Sequence, residues 1–429
     1  MSKKTIKVGY LARVEGEGSL YIKTNGELVE DVKLKIFEPP RFFEGFLKSR
    51  SYEEAPDMTA RICGICPVAY QMSTVHAIED AFGLEIPHHI SQLRRLIYCG
   101  EWIESHTLHA LMLHAPDFMK VPDVLGLVKI NRKQVEAGLR LKKIGNKIIE
   151  VLGGREIHPI NVKVGGFYRL PPKEHLSQLK SELLWAKQAC IELSEWISSF
   201  QFPKQEFDYE FVSLKSSVEY PFNHGNIESN KNLKIQVSEF ENHFEEVHVP
   251  HSTALQSVRK GSGSYLTGPM ARWYHNFEEL YPEVKSLAKK LGIGNTCNNP
   301  YRSIQIRILE VYQAFIEADR IIDEYNDGLA AAIKVTPKSG EGFAATEAPR
   351  GLLYHHFLID EQGLIKYAKI VPPTSQNQRR IEDDLREVVR LHINDSEAAL
   401  THRCEQTIRN YDPCISCSTH FLKLNIDRR

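Results

Sequence analysis

The sequence predicts an α+β fold, mostly helical, with a core of long helices in a bundle and small β-sheets at its periphery. Long amphipathic segments follow one another through the middle of the chain. Short β-branched runs open it and return near 351–371. Gly and Pro punctuate the stretches between, with no internal repeat and no low-complexity linker.

Residues 1–40 read as an N-terminal β-region. TIKVGYLARV and SLYIKT are β-rich, the Asn25-Gly26 pair suits a hairpin turn, ELVEDVKLKIFE follows, and Glu38-Pro39-Pro40 ends the pattern. Helix is expected from about residue 52, with apolar spacing of three and four from Pro67 to Phe82. Longer helices are expected over 91–115, over 124–152 with Gly153-Gly154 as a stop, and over 173–200. Residues 205–275 are aromatic and broken by Gly and Pro, and read as an irregular β-containing lobe. Helices return at 281–292 and 303–326. Strands GLLYHHFLI and LIKYAKIV come next, then helices at 379–393 and 396–409. A short tail, 421–429, remains. The 429 residues suffice for two or three domains, and the missing linker favours a single large body over 1–429.

The chain is 42% hydrophobic and 25% charged, with a formal net charge of -1. No basic excess exists to release counterions from phosphates, so no nucleic-acid or anionic-membrane partner is expected. No apolar run reaches the roughly 18 residues of a membrane span. The opening MSKKTIKVGY has lysines without an apolar stretch behind them, so neither a secretory nor a twin-arginine signal is expected, and the location expected is cytoplasmic.

Four of the eight cysteines form two C-x-x-C pairs, in RICGICP (61–67) and DPCISCSTH (412–420). Cys99, Cys190, Cys297 and Cys404 are scattered and read as plain thiols. Four thiolates are soft anionic donors that can hold zinc, iron or nickel. A two-residue gap lets both sulfurs of a pair face one ion. Gly64 eases the first turn, Pro67 suits the start of a helix, and amides at that helix start would favour a Cys66 thiolate. A structural four-cysteine zinc site is the alternative on spacing alone, although zinc pairs usually lie within a few tens of residues. A redox C-x-x-C is weaker, since no βαβ pattern surrounds either pair.

With their flanks, R-x-C-G-x-C and D-P-C-x-x-C-x-x-H resemble the two signatures of nickel-iron hydrogenase large subunits. Further segments agree: Arg13-Val-Glu15-Gly16, Pro40-Arg-Phe-Phe-Glu44, Leu113-His-Ala-Pro-Asp117, His158-Pro159 with Gly165-Gly166, and Glu347-Ala-Pro349-Arg350-Gly351. The resemblance covers about residues 5 to 420.

The resemblance implies a nickel ion held by Cys63, Cys66, Cys414 and Cys417. Cys66 and Cys417 would bridge to an iron carrying one CO and two cyanides, a Ni-Fe(CN)2(CO) centre. Cys63 and Cys414 would be terminal, and a terminal thiolate such as Cys414 can take a proton when H2 splits heterolytically. Glu15 would relay that proton, if burial lifts its pKa; Glu17 reads as a surface residue. Arg350, beside Pro349, would lie over the open coordination position, fixed by Asp117 and Asp412. Asp412 also suits a helix-ending turn before proline. Glu44, His420 and a backbone carbonyl at Lys369 or Ile370 would hold Mg2+ (or Fe2+). Many relatives place a histidine four residues after the second cysteine; here Tyr70 stands there and His76 lies farther along. That departure points to the multisubunit, cofactor-coupled branch, of the sulfhydrogenase or NAD(P)-linked kind.

The implied activity is reversible H2 oxidation and proton reduction. No further cysteine cluster, Walker A loop or convincing G-x-G-x-x-G is present. Iron–sulfur clusters and flavin are therefore expected only on partners: a small iron–sulfur subunit and diaphorase or NAD(P)-binding subunits. A maturation protease is a further expected partner, because family precursors are cut after the motif's histidine. Three rivals stand beside this reading. A regulatory H2 sensor would keep the metals, a respiratory complex I relative would lack the cysteines, and the third is the zinc protein.

Overall fold

A computed structural model describes residues 3–419 of the chain. The first three strands, Lys3–Val8, Gly18–Asn25 and Leu28–Ile36, form an antiparallel meander with Ile6 opposite Ile22 and Leu20 opposite Leu34. Ile6, Leu20, Ile22, Val32, Leu34 and Ile36 are buried, as alternation along a half-buried sheet requires. The first strand stops at Val8 rather than continuing to Val14. Arg13 (φ 61°) and Gly16 (φ 86°) take left-handed conformations, and the chain leaves the sheet there. That detour carries Glu15 to Cys414, with which it forms an isolated parallel bridge.

Four long helices make the core: Pro67–Phe82, His88–Thr107, Val124–Gly153 and Ser303–Glu324. The His88–Thr107 helix is buried along almost its whole length and packs against both Val124–Gly153 and Ser303–Glu324. Gly100 and Gly145 allow the first of these crossings. A Cβ on Gly145 would stand 2.7 Å from the Gly100 carbonyl oxygen.

The helix expected over 91–115 changes character at Leu108. A π-helical segment, Leu108–His114, follows, then a short helix from Ala115 to Phe118 with Pro116 in its first turn. The 124–152 helix is kinked at Asn131, and 173–200 divides into Lys173–Ser177 and Lys180–Ser198. The helix expected from 379 already starts at Pro373. Its first residues, Thr374 to Gln378, are polar but buried, so apolar periodicity does not reveal them.

Both strands expected over 351–371 are present, as Gly351–Ile359 and Ile365–Val371. A third, Gly340–Ala348, completes their antiparallel sheet. Its sequence GEGFAATEA does not look like a strand. The small residues let the sheet lie directly on the Pro67–Phe82 helix, where a Cβ on Gly342 would come 2.0 Å from the Ala77 carbonyl oxygen. The turn between its first two strands is Pro349-Arg350, closed by the pairing of Ala348 with Gly351. Within 205–275 lie a three-stranded and a two-stranded sheet, then the helix Pro269–Asn276. Among the described residues no helix is long and apolar enough to cross a membrane.

Candidate metal centre

The two cysteine pairs meet. Cys63 Sγ lies 3.5 Å from Cys414 Sγ, and Cys66 Sγ lies 3.8 Å from Cys417 Sγ. All four sulfurs lie within 4.8 Å of one another, and all four residues are buried. The contacts run across the pairs, first member to first and second to second, so each pair supplies one half of a single cage.

The first half is built on the start of the Pro67–Phe82 helix, with Cys66 at its N-cap and Pro67 at its first position. The amides of Ile65 and Cys66 both donate to Cys63 Sγ, each at 3.3 Å. The helix start does not serve Cys66 as the sequence suggests. The Val68 and Ala69 amides donate to the buried Glu101 carboxylate instead, at 2.6 and 3.1 Å. The amide support for a thiolate thus falls on Cys63.

The second half hangs on backbone ties. The Cys414 amide donates to Thr374 Oγ1 at 3.0 Å, and the Ile415 amide to the Glu15 carbonyl at 3.0 Å. The Glu15 carboxylate accepts from the Ser416 amide at 3.0 Å. Arg41 locks the two halves together by donating to the carbonyls of Ile62 and Ser416. Gly16 is required in this approach, since a Cβ there would come 2.7 Å from Ile415 Cβ.

Sulfur contacts with Cys414, Cys417 and Cys66 hold the Cys63 thiol well below the usual thiol range. Burial pushes the Cys414 and Cys417 thiols up. Cys66 is also pushed up, with Cys414 opposing and Cys417 and Cys63 raising it. Four buried sulfurs this close cannot all be anionic on their own. A bound cation removes that penalty, so the donor set fits a thiophilic metal group.

Arg350 closes the site from the sheet side. Its Nε donates to the Asp412 carbonyl at 2.8 Å and one Nη to the Asp412 carboxylate at 3.1 Å. The other terminal nitrogen, Nη1, is buried without a hydrogen-bond partner among the described residues. Asp412 itself takes a left-handed backbone conformation (φ 53°) ahead of Pro413.

The nickel-dependent hydrogenase family matches residues 41–137 and 302–420, about half of the chain and both cysteine pairs. The chain belongs to this family. It is 33% identical over 422 residues to sulfhydrogenase 2 subunit alpha of Pyrococcus furiosus, covering 98% of this chain and 100% of that one. It is 34% identical to the sulfhydrogenase 1 subunit alpha of the same organism, with 98% of each covered. Among solved structures, an NAD+-reducing [NiFe]-hydrogenase in its H2-reduced state superposes with a TM-score of 0.89. It is 23% identical, with 97% of this chain and 99% of that chain covered, which shows a shared fold. The protein is an oxidoreductase of the nickel-dependent hydrogenases, catalysing H2 oxidation and proton reduction, in the branch with the sulfhydrogenase subunits.

Within the hydrogenase frame, one expected contact is corrected. Asp117 does not hold Arg350. It pairs with Arg409 at 2.7 and 2.8 Å and with Arg13, so it ties the N-terminal detour to the helix Glu397–Asn410. Asp412 alone of the two acids meets Arg350. Glu15 is half-buried at the rim and Glu17 is exposed. The Glu44 carboxylate accepts from the Ile370 amide at 2.8 Å, which places these two expected residues side by side. His420 and the 421–429 tail lie outside the described residues. Tyr70 is buried, and its hydroxyl has no hydrogen-bond partner among the described residues. Cys99, Cys190, Cys297 and Cys404 are all free and buried.

Sequence reasoning passes over Arg41, Glu101, Thr374 and Arg272. Arg41 sits inside a quoted motif, so its place carried a signal. Glu101 looks like an ordinary charge on an amphipathic helix and Arg272 like one in the irregular lobe, and nothing local marks either as buried.

Proposed function

We propose that Cys63 and Cys414 are terminal nickel ligands and that Cys66 and Cys417 bridge nickel to an Fe(CN)2(CO) unit. The cross-paired contacts at 3.5 and 3.8 Å support this most directly, since they set two like pairs of sulfurs on opposite sides of one small volume. When bound there, the group supplies Lewis acidity and redox change for polarising H2. The chain's own residues handle the proton. Cys414 accepts it, and Glu15, tied to the same backbone two residues along at Ser416, carries it to the rim. Arg350, set by the rigid Pro349 turn, directs its unpartnered nitrogen toward the reacting side, with Asp412 holding its angle.

Glu44, the Ile370 backbone and His420 make up the proposed Mg2+ (or Fe2+) site. The contact between Glu44 and Ile370 supports it. Electrons leave to a small iron–sulfur subunit and on to NAD(P)-binding, flavin-carrying subunits. Among the described residues the four cysteines are the one group of three or more ligands within metal-binding reach. Exposed Tyr10, Phe37, Phe42 and Phe46 suit a subunit interface. Free cysteines throughout fit a reducing, cytoplasmic setting, in which the chain works as one catalytic body, with its 421–429 tail either retained or removed by a maturation protease.

Infrared spectra of the purified enzyme should show iron-bound CO and cyanide stretches, with nickel and iron by metal analysis. Zinc without those bands would overturn the assignment. Glu15→Gln should cut H2/D+ exchange by about 100-fold or more with nickel retained, and unchanged exchange would remove Glu15 from the proton path.

A further inference from the structure

Behind the Pro349-Arg350 turn lies a cluster of charged side chains with no exposure to solvent. Arg272, on the Pro269–Asn276 helix, donates to the carbonyls of Ala348 and Pro349 at 2.8 and 3.0 Å, the two residues just before Arg350. The same guanidinium meets Glu310 at 3.0 and 2.9 Å and Glu347 at 3.1 Å. Its face lies over the Trp102 ring, 4.3 Å from the centroid, and Trp102 Nε1 donates to the Glu347 carbonyl at 2.9 Å. The backbone is as confined as the side chains. A Cβ on Gly268 would stand 2.7 Å from the Arg350 carbonyl oxygen, and one on Gly351 2.8 Å from the Gly268 amide nitrogen.

We propose that Arg272 is a positioning residue for Arg350. It fixes the two carbonyls ahead of Arg350 from behind, while Asp412 fixes the guanidinium from the front. Every donor of Arg272 that the turn uses is directed by a buried carboxylate, so the anchor has one geometry. A planar five-donor fork is needed for this. Lysine could reach one carbonyl, but it could not hold two carbonyls and two carboxylates together. The consequence is reach: a small displacement of the turn moves the unpartnered nitrogen of Arg350 relative to the sulfurs, and sub-ångström placement of such groups governs rate.

The inference rests on the reading of Arg350 above, and a double-mutant cycle in the purified complex separates the two. Arg350→Lys, Arg272→Lys and the double variant are compared by nickel content, H2/D+ exchange and the nickel EPR signal. Arg350→Lys should lose about 100-fold in exchange and Arg272→Lys about 10-fold, both with nickel bound and a shifted EPR signal. The double variant should be no slower than Arg350→Lys, because a turn with no guanidinium to aim has nothing left to lose. Wild-type exchange in Arg350→Lys would sink the reading of Arg350 and this inference with it. A slow Arg350→Lys beside a wild-type Arg272→Lys, or losses that multiply in the double variant, would overturn the role of Arg272 alone. If Arg272→Lys comes without nickel, Glu310→Gln takes its place in the cycle. Nickel loss there too would overturn the inference, since aiming Arg350 does not require holding the metal.

Discussion

The two walls of the site handle charge in opposite ways. On the sulfur wall, four thiols crowd within 4.8 Å, and three of them are pushed toward the neutral form. On the arginine wall, Arg272 answers Glu310, whose carboxyl is held near 2 against burial, chiefly by Arg272 and His106. Glu347 is pushed by burial up to about 7 and burial lowers His106 to about 4, so near neutral pH His106 is uncharged and Glu347 is divided about evenly between its two forms. One wall is incomplete without a cation; the other is balanced by its own residues. The metal is therefore needed to finish the sulfur wall, while the arginine wall can stand ready before it arrives.

The largest test strikes the incomplete wall. Cys63→Ser or Cys414→Ser should abolish nickel retention and turnover, because a serine hydroxyl is a hard, poorly ionised donor. Nickel at wild-type stoichiometry in either variant would break the contrast.

The next test asks whether the arginine wall is balanced as described. Glu347 binds its proton more tightly when folded, so it lowers stability as pH rises from about 4.5 to about 7. His106 binds its proton less tightly when folded, so it raises stability from about 4 to about 6.5. Each slope amounts to about 3 kcal/mol, and over most of that range they oppose each other. Glu347→Gln should leave the histidine slope exposed, and thermal midpoints should then climb steadily between pH 4 and 6.5. Identical midpoint profiles for the two proteins would show that folding does not raise the Glu347 carboxyl.

The smallest effect belongs to the helix that carries the first pair. Burial pushes the Glu101 carboxyl well above the usual carboxylate range, so Glu101→Gln keeps one acceptor for the Val68 and Ala69 amides and gives up little charge; it should cost about 1 kcal/mol of stability with nickel retained. A loss large enough to empty the site would mean that Glu101 supports the sulfurs directly.

Much of this was legible from sequence, for reasons that differ by region. The long helices could be read because apolar residues recur three and four apart along them, as in Lys180–Ser198, which buries Leu183, Ala186, Ala189, Cys190, Leu193 and Ile197. The four cysteines could be read because their flanks are specific. The Gly340–Ala348 strand could not, because close packing on a helix selects Gly and Ala over β-branched residues. Nor could the start of the helix at Pro373, where buried Thr374, Ser375, Gln376 and Asn377 resemble a surface loop. Asp117 was placed beside the site, yet given the wrong arginine, because its true partners Arg13 and Arg409 are 104 and 292 residues away. Long-range ion pairs of this kind leave no local periodicity to find.

The contact between Cys63 and Cys414 joins residues 351 positions apart. At roughly 5–20 residues per second, a ribosome needs about 20 to 70 s to pass from one to the other. For all of that time the first pair stands as an open dithiol, able to be taken by whatever thiophilic ion arrives. The order of synthesis therefore sets a chemical demand on the cell: the four-sulfur centre cannot be completed before the second pair is made, and the half-site has to be shielded from competing metals until then.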